Sequence, residues 1–418
     1  MSSPEFTARH RLSERHFTRR CKLTFPRLIM FQLNMIRGAL QNELDSFFSI
    51  INNDAEGLSS EVTKSAYCQA RMKFSSSAFI EINQMICEQF YQKETIKKWH
   101  GHRLLAVDGS VIQLPLHKTT QLDFDKSAPH ANHLVARISE LYDPLNKLSI
   151  DMQITHYSVG ERAIAHRHLA RAEVDDLILY DRGYPAVWLM KAHLEKGVDF
   201  CMRVPDSHVI EARKLVASEE RDIVVTIPLS WHTKKTCRAY GVSDEPITVR
   251  LVKVDIPDSE EVEVLITSLL DQETYPYEDF APLYHQRWFS EENYKSLKSK
   301  LEIENVSGYS KNTIEQEIQA KTVTRNLAAI ISASAQEQIN ERSVKRKLKR
   351  SYQVNFANGL RNLKDNIVRL LLSATPEILI KRLITSFARK PEAVRNGRKF
   401  NRDMKKRTSR FTMQYKHC

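Results

Sequence analysis

The sequence predicts an α/β fold, a mixed sheet flanked by helices and interrupted by an inserted β subdomain, with helical N- and C-terminal regions. Three observations predict it. Short apolar runs alternate with helix-period segments between residues 100 and 205, a β-branched stretch punctuated by prolines spans 206–271, and apolar residues recur every three or four positions on either side.

From Phe25 to Lys98 the pattern is helical, with Leu28 to Ser49 and Ala78 to Thr95 as the clearest segments and breaks at Asn52-Asn53-Asp54 and Ser75 to Ser77. Arg103 to Val107 and Val111 to Leu114 predict two strands around a tight turn at Asp108-Gly109-Ser110. Leu134 to Tyr142 and Leu148 to Thr155 form a hairpin about Asp143-Pro144-Leu145-Asn146. Helix Gly160 to Ala172, strand Leu177 to Tyr180, helix Pro185 to Glu195 and strand Val198 to Val204 follow. Parallel strands need crossover helices and antiparallel ones need only turns, so this order predicts a mixed sheet of the RNase H type. Ile223 to Ile227, Ile247 to Ile256 and Val262 to Leu270, set between Pro228, Pro246 and Pro257, make the insertion. Helix resumes at Glu278 and continues through Ile314 to Gln338, Leu360 to Ser373 and Pro376 to Phe387, before a loose basic tail from Arg389. The expected organisation is a helical region 1–99, a catalytic core 100–205, the β insertion 206–271, the second part of the core 272–340, and a basic helical region 341–418 for DNA contact or dimerisation.

Charge narrows the partner. The 418 residues carry 63 Lys and Arg against 51 Asp and Glu, a formal charge of +12. From Lys321 onward the count is 24 basic to 6 acidic, so the C-terminal quarter holds the surplus and the rest is mildly acidic. That surplus favours a polyanion, nucleic acid first. Cys21, Cys68, Cys87, Cys201, Cys237 and Cys418 form no Cys-x-x-Cys pair and have no histidine at zinc spacing, which predicts reduced thiols in a cytosolic protein. No apolar run approaches the ~18 residues of a membrane helix, and the Arg-rich N-terminus lacks the apolar core of a signal peptide.

The chemistry gathers on carboxylates. Tyr284, Arg287, Glu291, Lys295 and Lys298 are spaced three, four, four and three apart. At about 100° per residue they fall within roughly 80° of one helix face, with Leu283, Tyr294, Leu297 and Leu301 as the adjoining apolar stripe. Alone, such a face is equally an ordinary ion-paired surface. Glu291 is favoured over Glu292, which lies about 100° round the helix. Asp108 and Asp181 each close an apolar strand, and strand ends converge in a mixed sheet, so both can share one site with a glutamate on a covering helix. Asp-Gly and Asp-Arg-Gly are also plain turn sequences. Three carboxylates with open positions suit magnesium or manganese, two of which serve phosphoryl transfer. No zinc-protease, P-loop or nucleophile-elbow pattern competes, and His130, His133, His166 and His168, lacking further zinc ligands, are expected to be solvated or phosphate-facing.

On these residues the chain resembles the DDE transposases of bacterial insertion sequences, specifically the "IS-four" family with its Tyr-x2-Arg-x3-Glu-x6-Lys signature. Tyr284, Arg287, Glu291 and Lys298 match that spacing without a gap, and the family's two aspartates correspond to Asp108 in Ala106-Val107-Asp108-Gly109-Ser110 and Asp181 in Tyr180-Asp181-Arg182-Gly183-Tyr184. The resemblance covers most of the chain. It implies that Asp108, Asp181 and Glu291 hold two Mg2+ or Mn2+ ions, and that Arg287, Lys295, Lys298, Tyr284 and Arg182 contact DNA near the scissile bond. Relatives form a hairpin on the transposon end and stack a flipped base on an aromatic residue of the β insertion. Trp231, the only tryptophan of 206–271, is the candidate for that role. The Arg-rich N-terminus through Lys22 is implied to grip the terminal inverted repeat, and the basic run Arg342 to Arg350 is expected to track phosphates. The expected activity is cut-and-paste DNA transposition on terminal inverted repeats and target DNA. The expected protein is cytoplasmic and bacterial, nucleoid-associated when bound, homodimeric in the synapse and free of any membrane. An RNase H-like nuclease without strand transfer and a catalytically inactive DNA-binding derivative are the competing expectations.

Overall fold

The computed structural model of the chain describes residues 3–34, 38–52, 62–92, 96–124, 134–205, 210–255 and 262–394. His130 and His133, the Asn53-Asp54 break, Pro257 and the basic tail beyond residue 394, with Cys418, lie outside the described residues. The chain divides into two compact units. One comprises Met1–Ile86, Leu114–Asp123 and Leu297–Cys418, the other Cys87–Gln113 and Phe124–Ser296.

The N-terminal helices are α1 (Pro4–His10), α2 (Phe25–Leu33), α3 (Leu40–Asn52), α4 (Lys64–Arg71) and α5 (Ser77–Tyr91). The first was not expected from the Arg-rich sequence. Ser3 caps it through Phe6 N (3.1 Å), and Phe6 and His10 are buried. The single helix expected from Leu28 to Ser49 is two, α2 and α3, with Gly38 between them, a residue that weakens helix continuity.

The second unit is built on one sheet. Its elements are β1 (Arg103–Leu114), β2 (Leu134–Asp143), β3 (Leu148–His156), α7 (Glu161–His168), β4 (Asp176–Tyr180), α8 (Val187–Lys196) and β5 (Asp199–Val204), with the short helix α6 (Lys118–Asp123) belonging to the first unit. The next elements are α9 (Ile210–Val216), β6 (Asp222–Ile227), α10 (Trp231–Ala239), β7 (Ile247–Asp255) and β8 (Val262–Thr267). After them come α11 (Phe280–His285) and α12 (Trp288–Ser299). The strand order is β3-β2-β1-β4-β5-β8-β7-β6. β1, β4 and β5 run parallel, while β2 with β3 and the series β5, β8, β7 and β6 pair antiparallel. The first five strands have the expected RNase H-like order. The β-rich stretch 206–271 supplies strands β6, β7 and β8. It adds its strands to the same sheet through the Cys201↔Thr267 to Val204↔Val264 register, and it carries two helices.

Local chemistry explains these elements. β4 is buried at every position, as a central parallel strand requires. At the β2–β3 turn the Asp143 carboxylate accepts from Leu145 N (2.9 Å) and Asn146 N (2.8 Å), and Lys147 takes a positive φ of 61°. β1 runs unbroken through Asp108-Gly109-Ser110, where a turn was expected. There the Asp108 carboxylate accepts from Gly109 N (2.8 Å), and its main-chain carbonyl is held by hydroxyls, so the dipeptide stays extended. Leu104, Ala106, Leu177, Leu179 and Leu265 form a core against Phe280 and Leu283 of α11.

In the first unit α13 (Lys311–Lys345), α14 (Phe356–Leu372) and α15 (Pro376–Phe387) follow, so α13 crosses the boundary expected at 340. A capping box of Ser310 and Thr313 starts α13, whose first turns are buried almost all round. Buried Arg71 of α4 donates to Glu317 Oε1 (2.8 Å), Ser307 Oγ (2.9 Å) and the Thr313 carbonyl (2.6 Å). The N-terminal helices and residues 297–394 therefore share one core. The five cysteines among the described residues form no disulfide, and no described helix is long and apolar enough to cross a membrane.

The register of β1 on β4 is fixed by a buried bidentate pair, Arg103 Nε to Asp176 Oδ1 (2.8 Å) and Nη2 to Oδ2 (2.6 Å), on directly paired residues. Asp176→Ala strands a buried guanidinium and is expected to cost about 3–5 kcal/mol in urea unfolding. Replacing both residues together, Arg103→Met with Asp176→Leu, should recover most of that loss.

Candidate active site

The β1–β4 register ends at Val107↔Tyr180, so Asp108 and Asp181 are the next residues on two neighbouring parallel strands. Adjacent strands lie about 4.8 Å apart, which brings the aspartates side by side in the sheet's interior, where β4 ends. Each is oriented by the following peptide: Asp108 Oδ1 accepts from Gly109 N (2.8 Å) and Asp181 Oδ1 from Arg182 N (2.7 Å).

Glu291 comes from α12, and the tie to the strands is made by phenols. Tyr294 donates to the Asp108 carbonyl (2.9 Å), and Tyr284 donates to the Tyr180 carbonyl (3.4 Å), the peptide leading into Asp181. Buried Asn293 donates to buried Glu140 of β2, a second link from α12 to the sheet. The helix expected to be continuous here is broken. Gln286 N and Arg287 N bond the carbonyls of Leu283 (3.0 Å) and Tyr284 (3.1 Å), and Phe289 N and Ser290 N those of Gln286 (3.1 Å) and Arg287 (2.9 Å). This three-residue spacing winds the chain at about 120° per residue, so the stripe from Tyr284 to Lys298 is not one regular helix face.

The break sets Arg287 inward. It is 4% exposed, its Nη2 donates to Glu291 Oε1 (3.1 Å), and its guanidinium lies over Tyr284 and Trp288, each at 5.6 Å. It also interacts electrostatically with Asp181 and Asp108, so one cation serves all three carboxylates. Burial pushes the Asp108 carboxyl up to about 6, against the Gly109 N–H and the Arg287 charge, and with Glu291 and Asp181 adding repulsion. Among the described residues no three carboxylate, imidazole or thiol groups stand close enough to hold one ion together. With Glu291 bonded to Arg287, the guanidinium supplies the counter-charge. The donor set still fits a hard divalent cation, being carboxylate oxygen throughout, with Asp108 buried where a cation would lower its cost of ionisation.

The other expected site residues fall in different places. Tyr284 is a core phenol, 6% exposed, rather than a surface group. Lys295 and Arg182 are exposed, and Lys298 is half-buried and belongs to the first unit. Trp231 opens α10 at 68% exposed, its ring meeting His232 (5.0 Å) and Lys235 (5.6 Å). Arg15, Arg19 and Arg20 are exposed, as are Lys345 to Arg350, whereas Arg9 pairs with Glu81. His168 corrects the expectation of a solvated histidine: it is fully buried between Asp151 (2.8 Å) and Ser139 (3.0 Å). Sequence reasoning missed Ser139, Glu140, Asp151 and Tyr184 near this site. The available signal was polar side chains interrupting apolar strands at positions that must be buried.

Residues 99–327 match the family described as Transposase DDE domain. The transposase InsG for insertion sequence element IS4 from Escherichia coli (strain K12) is 24% identical over 278 residues, 64% of this chain and 60% of that protein. The chain thus spans 60% of the length of this curated relative. A cryo-EM structure of the piggyBac transposase synaptic complex with hairpin DNA aligns at 11% identity and a TM-score of 0.41, covering 92% of this chain and 80% of that one.

The raised Asp108 carboxyl has a stability consequence in the absence of divalent ions. An unperturbed aspartate titrates near 3.8 and this one near 6, so the folded protein binds the proton more tightly. Stability is therefore highest below about pH 4, falls as pH rises toward 6, and levels above it, by about 2–3 kcal/mol from this group. In EDTA, urea unfolding of Asp108→Asn should lack this decline and exceed wild type in stability at pH 7.

Proposed function

The chain belongs to the Transposase DDE domain family, and from that membership we propose that it is a transposase that binds the terminal inverted repeats of an insertion sequence and cuts and joins DNA. The observation that carries the reading is the β1–β4 register, which sets Asp108 beside Asp181 while the Tyr294 hydroxyl ties the Glu291 helix to the Asp108 peptide. Two divalent ions, magnesium or manganese, held by Asp108, Asp181 and Glu291 would activate the attacking oxygen and stabilise the leaving one.

The chain's own groups do the rest. Arg287, bonded to Glu291, is placed to turn its charge from the carboxylates to a DNA phosphate once other cations balance them. Lys295 and Arg182 add positive charge along the same path, Lys298 is a further phosphate contact, and Tyr284 acts through the Tyr180 carbonyl as a positioning group. Trp231, exposed beside Lys235, offers a stacking face for an unpaired base. Exposed arginines near the N-terminus and the basic run at 345–350 extend the phosphate contacts, and a homodimer in the cytoplasm brings two DNA ends together.

Incubating the purified chain with Mg2+, inverted-repeat ends and a target plasmid should yield both cleaved ends and joined products. Cleavage without joining would favour a nuclease, and binding without cleavage an inactive DNA-binding derivative. Asp108→Ala, Asp181→Ala and Glu291→Ala should each abolish both products while retaining end binding in gel shifts; wild-type processing by any of the three would refute the site. Trp231→Ala should slow end processing roughly tenfold or more, in line with about 1–3 kcal/mol per stacked base. End-binding affinity should change little.

A further inference from the structure

A buried polar chain runs from β3 through α7 to the peptide of Asp108. Asp151 Oδ2 lies 2.8 Å from His168 Nδ1, His168 Nε2 lies 3.0 Å from Ser139 Oγ, and Ser139 donates to the Asp108 carbonyl at 3.2 Å. Ser139 and His168 are fully buried and Asp151 is 5% exposed. With Ser139 donating forward to the carbonyl, its oxygen faces Nε2 of the ring while Nδ1 faces the Asp151 carboxylate, so the four groups form one continuous chain. Burial opposes ionisation of Asp151, but the His168 contact, the Gln153 amide (2.7 Å) and the Arg171 charge together hold its carboxyl below the ordinary range. These residue types are those of a hydrolytic triad. Total burial and a hydroxyl committed to a carbonyl exclude a nucleophilic role here.

The same carbonyl receives a second donor from a different element, the Tyr294 hydroxyl of α12 at 2.9 Å, three residues beyond Glu291. A strand carbonyl held by two side-chain hydroxyls from different elements cannot rotate without breaking one of them, and rotation of that peptide would swing the Asp108 carboxylate. We propose that Asp151, His168 and Ser139, together with Tyr294, are positioning residues that fix the direction of Asp108 and lock it to the helix carrying Glu291. The proposal rests on the reading of Asp108 as an ion ligand. It assigns a purpose to polar groups that apolar side chains of equal volume would replace at little cost if packing alone mattered.

Manganese titration of the full-length chain by calorimetry, without DNA, tests it. Tyr294→Phe and Ser139→Ala each remove one donor with almost no change in volume, and each should weaken Mn2+ binding about 3- to 10-fold, the equivalent of one hydrogen bond. The double variant should lose more than either. His168→Gln added to Ser139→Ala should weaken binding no further, because both interrupt one chain. At saturating Mn2+, DNA-cleavage turnover by Tyr294→Phe should return to near wild type, a split between ion affinity and turnover that general loosening would not produce. Wild-type Mn2+ affinity in both single variants would overturn the proposal, as would an additive His168→Gln effect. Asp108→Asn separates the two levels. If it loses Mn2+ binding while the donor variants do not, only the positioning network fails; if it binds like wild type, the ion-ligand reading fails and the proposal with it.

Discussion

The parallel pairing of β1 with β4 is the constraint on which the rest of the site depends. Arg103 and Asp176 close the pair at one end with a buried, bidentate contact, and four further residue pairs carry the register to Val107 and Tyr180. A slip of one residue would turn every following side chain to the opposite face of the sheet. Asp108 and Asp181 would then no longer fall beside one another. The ion pair at residues 103 and 176 thereby controls the relative placement of two carboxylates about five residues away.

The second constraint is charge. Burial opposes ionisation of Asp108, and the nearby Glu291 and Asp181 charges add repulsion to it. The tight turn at Gln286 and Arg287 answers this by directing a guanidinium into the group, where it bonds Glu291 and lies across two aromatic faces. A regular helix through these residues would have carried Arg287 along a smooth outer stripe. The irregular one places it where it balances the site without ions, and the phenols of Tyr284 and Tyr294 hold the two helices to the strand carbonyls on either side.

Much of this frame is legible in the sequence. The all-apolar run at Leu177 to Tyr180, the Asp-Pro-Leu-Asn turn and the helix-period segments between strands are local signals, and the structure follows them closely. The misread places share a physical cause. Asp108-Gly109-Ser110 has the composition of a turn, yet stays extended because hydroxyls from Ser139 and Tyr294 hold its carbonyl, groups 31 and 186 residues distant. The break at Gln286 and Arg287 carries neither glycine nor proline and arises from tertiary anchoring of the helices on both sides. The strands from 206–271 join the sheet where β8 pairs with β5, through a register that no local pattern announces. His168 resembles a solvated histidine until Asp151 and Ser139 are brought to it by the fold.

The central proposal is that Asp108, Asp181 and Glu291, positioned by the β1–β4 register and by α12, hold divalent ions together. Iron(II) substituted for the divalent ion, with ascorbate and peroxide, cuts a polypeptide next to where the ion is held. The account predicts backbone cuts near residues 108, 181 and 291 in the same protein, all lost in Asp108→Asn and all suppressed by excess Mg2+. Cuts confined to one of the three positions, or clustered elsewhere in the chain, would contradict it.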